Sequence, residues 1–277
     1  MGSHHDLHTH STASDGTLRP SELVARAARA GVQVMALTDH DTLNGIAEAK
    51  VAAAEQGLTL IPGVEISVNW GGRVIHILGL GLDPAALELN KGLERLRDYR
   101  GWRAKEIGRR LAVKGIEGAY EGALALSGDE EFVGRTHFAR LLVQRGYAAT
   151  VRDVFKRYLV KGKPGHVSGE WASLEEALVW ILDAGGQAVI AHPARYSFTG
   201  FKMRRLMGEF RELGGVAIEV VSGSHSRDEA YLYAQRARES SLLASAGSDY
   251  HGPEHPYLEL GRLPKLPPGC TPIWADW

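Results

Sequence analysis

Short apolar runs alternate with helical segments along most of this chain, and that alternation restricts the fold more than any other feature. Asp6-Leu7-His8 reads as a first strand. Pro20 to Ala30 reads as a helix, with proline near its start and Gly31 as its stop. Val32 to Thr38 is a second strand, and the Ala-rich stretch from Gly45 to Gln56 is a helix stopped by Gly57. Leu58 to Val68 is a strand that Gly71-Gly72 turns back into Arg73 to Leu80, a hairpin. The pattern resumes at Trp171. Ser173 with Glu176, and Ser226 with Glu229, have capping-box spacing and open helices reaching Ala184 and Ser240. Gln187 to Ala191, Val216 to Val221 and Leu242 to Ala246 are strands, and Phe201 to Leu213 is a helix. Repeated strand–helix units predict an α/β protein with a largely parallel sheet covered by helices.

Between residues 85 and 165 the period changes. Leu87, Leu93, Leu96, Trp102, Ile107 and Leu111 recur at helical spacing, as do Val151, Val154, Phe155 and Tyr158, with no strand between them. The reading is a helical insertion, 85–165, in a barrel made by 1–84 and 166–277. Charge singles out the same segment. The whole chain carries 32 Lys+Arg and 33 Asp+Glu, a net of -1, which excludes a protein basic all over. Residues 91–165, however, hold 17 Lys+Arg against 9 Asp+Glu, and the rest hold 15 against 24. A basic insertion therefore stands against an acidic body. Solvated helix faces are one reading of that charge; a cap attracting an anionic substrate is the other.

Cys270 is the single cysteine, which excludes thiolate zinc sites and internal disulfides. No apolar run approaches the ~18 residues of a membrane helix, and the first residues do not read as a signal peptide. A cytoplasmic protein with no membrane attachment is expected.

The 12 histidines carry the chemical signal. His8 and His10 lie two apart on a strand, so both imidazoles face one side. Asp15 stands before Gly16, a frequent turn usage. His40 follows the second strand in Thr38-Asp39-His40-Asp41, where the aspartates also suit a helix N-terminus. Glu65 and His76 lie in apolar strands, and a buried carboxylate needs a cation or a metal. His192 ends a strand, and Asp249 and His251 follow the last one. Each residue alone has an ordinary structural use. Together they fall in strands or at their C-terminal ends, the face where active sites of parallel barrels assemble. Imidazole and carboxylate donors without thiolates suit Mn, Fe or Zn.

Asp6-Leu7-His8-Thr9-His10-Ser11, Thr38-Asp39-His40-Asp41, Gly63-Val64-Glu65-Ile66-Ser67, Ala191-His192-Pro193 and Gly247-Ser248-Asp249-Tyr250-His251 resemble, in order, the motifs of the PHP (polymerase and histidinol phosphatase) family. The resemblance implies a distorted (β/α)7 TIM-like barrel and three divalent metal ions, Mn2+ first among the choices. It puts His8, His10, Glu65 and Asp249 on one metal. Glu65, His76 and His192 fall on a second, and Asp15, His40 and His251 on a third. Gly134-Arg135-Thr136-His137-Phe138-Ala139-Arg140, Tyr158 to Gly165 and Ser222-Gly223-Ser224-His225-Ser226 are similar to the subgroup that dephosphorylates nucleoside 3′,5′-bisphosphates, with relatives acting as 5′-to-3′ exoribonucleases on short RNA. Two positions depart from that subgroup: Ala194, where glycine is common, and Arg19, where Thr or Ser usually caps the helix at Pro20.

The activity so implied is hydrolysis of the 3′-phosphate by a metal-bound hydroxide, with a phosphorylated nucleotide or short RNA as substrate and no obligate protein partner. His192, Asp249 and His137 are the catalytic candidates. His137 stays open as ligand, substrate contact or leaving-group acid, or as a merely hydrogen-bonded histidine of the insertion. Arg135 is the first choice for the second phosphate, because guanidinium binds phosphate bidentately. Arg195, Lys161, Lys163, Ser224 and His225 are further candidates. A histidinol-phosphate-type phosphatase, an amide-cleaving metal hydrolase and a non-catalytic PHP module are the rival readings.

Overall fold

The computed structural model describes residues 4–254 and 258–277. In chain order the elements are β1 (His5–Asp6), α1 (Pro20–Arg29), β2 (Val34–Leu37), α2 (Ile46–Gln56), β3 (Thr59–Trp70), β4 (Arg73–Leu80), α3 (Leu87–Ala112), α4 (Ala119–Ser127), α5 (Arg135–Gln144) and α6 (Val151–Val154). Then come β5 (Ala172–Ser173), α7 (Leu174–Asp183), β6 (Gln187–Ile190), α8 (Gly200–Glu212), β7 (Ala217–Ser222), α9 (Arg227–Glu239) and β8 (Leu243–Gly247). The chain forms two compact units, one from residues 1–93 and 172–277, the other from 94–171.

In the first unit the strands run β1-β2-β3-β4-β6-β7-β8, with the short β5 paired to the far end of β3. All of these neighbours are parallel except at β4, which is antiparallel to both β3 and β6. The Gly71-Gly72 turn forces that reversal, since a two-residue connection cannot make a parallel crossover. The sheet curls until its edges meet. Leu7 N–H donates to Ala246 C=O at 2.9 Å, and Asp249 N–H to His8 C=O at 2.8 Å. The result is a nearly closed seven-stranded barrel, distorted by one reversed strand.

Leu7, Ala36, Leu78, Val189, Ala191 and Ala217, drawn from five of these strands or the residues beside them, pack together inside the curved sheet. A second core forms where α1 and α2 cover β2, with Leu23, Val24, Met35, Leu37 and Ile46. The Ser173 and Ser226 capping boxes form as their spacing predicts. The second unit has its own core around Ile107, Leu111, Phe138, Leu142, Val154 and Leu159. Leu159 closes a π-helical turn, Phe155–Leu159, that continues α6.

Candidate metal centre

The candidate ligands converge because the residues that follow β1, β2, β6 and β8 meet Glu65 and His76, which lie within the β3–β4 hairpin. Thr9, between His8 and His10, turns inward to the sheet. Its hydroxyl donates to Ala36 C=O at 2.7 Å, which leaves both imidazoles on the opposite side. His40 bridges in parallel to Glu65 just beyond β2. His76 pairs with Ser67, two residues from Glu65 on β3, so Glu65 and His76 share a face. His192 follows β6 with φ of 26° and Asp249 follows β8 with φ of 57°. Both are uncommon for side-chain-bearing residues and turn the two groups back over the rim.

Glu65 is the hub. One oxygen lies 3.2 Å from His8 Nε2, His10 Nε2 and His40 Nδ1; the other lies 2.7 Å from His76 Nδ1 and 2.9 Å from His192 Nε2. Asp249 Oδ1 stands 3.4 Å from His8 Nε2 and 3.2 Å from His10 Nε2. Asp15 faces His251 Nε2 at 3.2 Å, with His10 and His40 at 4.0 Å. Donor atoms therefore gather in three overlapping groups: His8, His10, Glu65 and Asp249; His40, Glu65 and His76; and His10, Asp15, His40 and His251. The partition differs from the expected one at three residues: His40 joins Glu65 and His76, His10 joins the Asp15 group, and His192, outside the three groups, contacts Glu65. His40 reaches Glu65 as well as Asp15, because a parallel bridge just beyond β2 sets it beside Glu65 in the middle of β3.

Charge within the cluster is strongly perturbed. Burial would lower the His10 imidazole, but Asp249 and Glu65 outweigh it and raise the pKa to about 10. His40 goes the other way, held well below its usual value by burial despite Glu65 and Asp15. Burial and Arg195 together bring His192 down to about 4. Buried His8 Nε2, His10 Nε2, His40 Nδ1 and Glu65 Oε2 have no partner in hydrogen-bond geometry. Such atoms are costly unless something else satisfies them. Divalent cations fit this donor set, because every orphaned atom is a nitrogen or carboxylate oxygen directed into the cluster.

Two residues that sequence reasoning treated as structural or passed over support the rim. Asp39 accepts from Ser11 N–H at 2.8 Å, Ser11 Oγ at 2.7 Å and Ser14 Oγ at 2.6 Å, which folds the loop that presents Asp15. Glu219, a lone carboxylate in the apolar run Val216 to Val221, is fully buried and hydrogen-bonded to His8. Its sequence signal is the same as that of Glu65.

Arg195 lies against Asp249 and donates to Ser224 Oγ at 3.1 Å. His225 Nε2 accepts from Ala194 N–H at 3.4 Å. These candidates thus adjoin the cluster. His137, Arg135, Lys161 and Lys163 belong to the second unit. There His137 is buried and its Nδ1 accepts from Gly134 N–H at 3.0 Å, closing the first turn of α5. Lys161 and Lys163 are exposed. Arg135 stands among cations. Burial, then Arg135 and Arg100, pull Arg103 down to about 9, and burial and Arg100 lower Arg135. Arg100 and Arg103 also stack over the Trp171 ring at 5.1 and 5.4 Å.

Comparison with known proteins agrees with this geometry. The PHP domain family matches residues 6–187. A 3′,5′-nucleoside bisphosphate phosphatase of Chromobacterium violaceum is 48% identical over 98% of this chain and 95% of its own length. A 5′-3′ exoribonuclease of Haemophilus influenzae is 46% identical over the full length of both. Among solved structures, an amidohydrolase from Chromobacterium violaceum with bound sulfate and no metal superposes with a TM-score of 0.95, at 47% identity, over 98% of this chain and 95% of that one.

Proposed function

The chain belongs to the PHP domain family, and from that premise we propose that it is a metal-dependent phosphoesterase that removes the 3′-phosphate of nucleoside 3′,5′-bisphosphates and degrades short 5′-phosphorylated RNA from its 5′ end. The observation that carries this reading is the cluster of nine histidine, aspartate and glutamate side chains that includes Glu65 and Asp249, with its unsatisfied nitrogens and oxygens turned inward.

The residues fit three divalent cations, with Mn2+ ahead of Fe or Zn. His8, His10, Glu65 and Asp249 would hold the first; Glu65, His76 and His192, joined by His40, the second; Asp15, His40 and His251, joined by His10, the third. When bound, such ions cancel the charge of a phosphate monoester and lower the pKa of water. The protein's own groups do the rest. Arg195, set against Asp249 and Ser224, offers two-point donation to phosphoryl oxygens at the rim. Burial keeps the His192 ring neutral at pH 7, so it serves as a lone-pair donor rather than an acid. Arg135, with Arg100 and Arg103, is assigned the non-scissile phosphate. Burial and neighbouring cations depress Arg103 and Arg135, and a bound anion would relieve that cost. The basic segment 85–165 thereby acts in substrate capture. His137 is assigned to holding α5 rather than to proton transfer. A cytoplasmic setting suits a nucleotide substrate and a chain in which, among the described residues, no helix is long and apolar enough to cross a membrane.

The test combines bound-metal analysis with a screen of phosphate release from a nucleoside 3′,5′-bisphosphate, mononucleotides, histidinol phosphate and 5′-phosphorylated RNA, with Asp249→Asn as control. Stoichiometric metal and preference for the bisphosphate are expected. Protein that holds no metal and releases nothing would leave the non-catalytic alternative standing.

A further inference from the structure

We propose that Glu219 is a positioning residue that orients two ligands of the metal cluster at once, touching neither substrate nor cation. Its two oxygens have separate tasks. One lies 2.8 Å from His8 Nδ1, and the other accepts the backbone N–H of His192 at 2.5 Å. A carboxylate only accepts, so a neutral, cation-binding His8 ring would keep its proton on Nδ1. That leaves the Nε2 lone pair free, and Nε2 is the atom facing Glu65 and Asp249. The second bond grips His192 at the residue whose backbone has the unusual φ of 26°. It ties down the peptide that turns the imidazole over the rim. One side chain thus links a ligand of the first cation to a ligand of the second.

Three features show that the fold is arranged around this contact. Register between β7 and β8 shifts between Glu219 and Val221, an irregularity of the kind that re-aims a side chain. Gly247 on β8 makes the space. A Cβ there would lie 2.2 Å from His8 Cβ and 2.7 Å from the Glu219 oxygen. Finally, Glu219 is fully buried, and His8 and the His192 amide are the donors that meet its two oxygens.

The inference rests on the reading that the cluster holds divalent cations, so its test reads metal binding rather than turnover. Mn2+ titrations would compare the wild type with Glu219→Gln, alongside melting in EDTA. Glutamine keeps the shape but has one acceptor oxygen for two donors. Mn2+ affinity is expected to fall about 10–100-fold, while the EDTA melting temperature stays near that of the wild type. Equal Mn2+ affinity in the two proteins, or a loss of affinity that only accompanies a large fall in EDTA melting temperature, overturns the role. If Glu219→Gln does not fold, long-range proton–nitrogen spectra of the Zn2+-loaded wild type decide the point. A proton on His8 Nδ1 supports the inference, and a proton on Nε2 refutes it. A wild type that takes up no Mn2+ defeats the metal reading itself, whereas equal binding by wild type and variant defeats Glu219 alone.

Discussion

The guanidinium of Arg195 lies directly against the Asp249 carboxylate, with Ser224 holding its Nε at 3.1 Å. A cation thus sits among residues otherwise suited to hold cations. Burial would raise the Asp249 carboxyl, but Arg195, then His8 and His251, hold it well below the usual range. The pairing keeps Asp249 ionised without occupying Oδ1, the oxygen that faces His8 and His10. Arg195→Ala is therefore expected to retain Mn2+ while losing about 10^2-fold in kcat on phosphate monoesters, the scale seen when one donor to a developing charge is removed. Loss of metal from this variant would show that Arg195 supports the ligand instead of the phosphate.

A different outcome is expected for the arginines of the second unit. Replacing Arg135 by alanine should reduce kcat/KM about 10^2-fold on a nucleoside 3′,5′-bisphosphate, some 2.7 kcal/mol, and alter hydrolysis of a simple aryl phosphate by less than about 3-fold. The same site should bind inorganic phosphate in protein stripped with EDTA. Phosphate should raise the melting temperature of the wild type, since a ligand of the native state stabilises it, and should do so less for Arg135→Ala. Equal losses on both substrates would place Arg135 outside phosphate recognition.

The sequence made the rim legible and its wiring obscure. His8, His10, Glu65, His192 and Asp249 stand out because polar groups within strands or just after them break an apolar period. His40 shows the limit. Its place between Asp15 and Glu65 depends on the parallel bridge that joins the residues just beyond β2 to the middle of β3, a contact 25 residues apart in the chain. Glu219 carries the same signal as Glu65, but its partners, His8 and the His192 amide, come from distant segments, and register shifts beside it in β7. Arg100 and Arg103 are hidden among Arg95, Arg97, Arg109 and Arg110 on one helix. Helical spacing does not separate the buried cations from the solvated ones, because Arg135 and Trp171 come from distant segments. The reversal at β4, by contrast, was readable from Gly71-Gly72 alone.

Metal uptake should strengthen as pH rises. The His10 pKa is raised from 6.5 to about 10, because Asp249 and Glu65 outweigh the opposing effect of burial. A raised imidazole stabilises the metal-free fold fully below pH 6.5, and that contribution disappears as pH climbs towards 10. A cation binding at His10 must displace the same proton. Apparent Mn2+ affinity should therefore increase between pH 6.5 and 9, with proton release visible by calorimetry in buffers of different ionisation enthalpy. Affinity that stays flat across this range would contradict protonation of His10 in the metal-free protein.

Two glycine-to-alanine changes should have opposite effects. Gly208 lies inside α8 and an added Cβ there meets nothing within 4 Å, so Gly208→Ala should stabilise the protein by about 0.5–1 kcal/mol through helix propensity. At Gly247 the added Cβ would fall 2.2 Å from His8 Cβ and 2.9 Å from His8 N. Neither atom is the end of a flexible side chain, so β1 and β8 must separate where they close the barrel. Gly247→Ala should cost about 1–3 kcal/mol and weaken Mn2+ binding by displacing His8 from Glu219. Melting in EDTA reads the first effect and Mn2+ titration the second. If Gly247→Ala melts like the wild type and binds Mn2+ as tightly, the closeness of β8 to His8 has no bearing on the site.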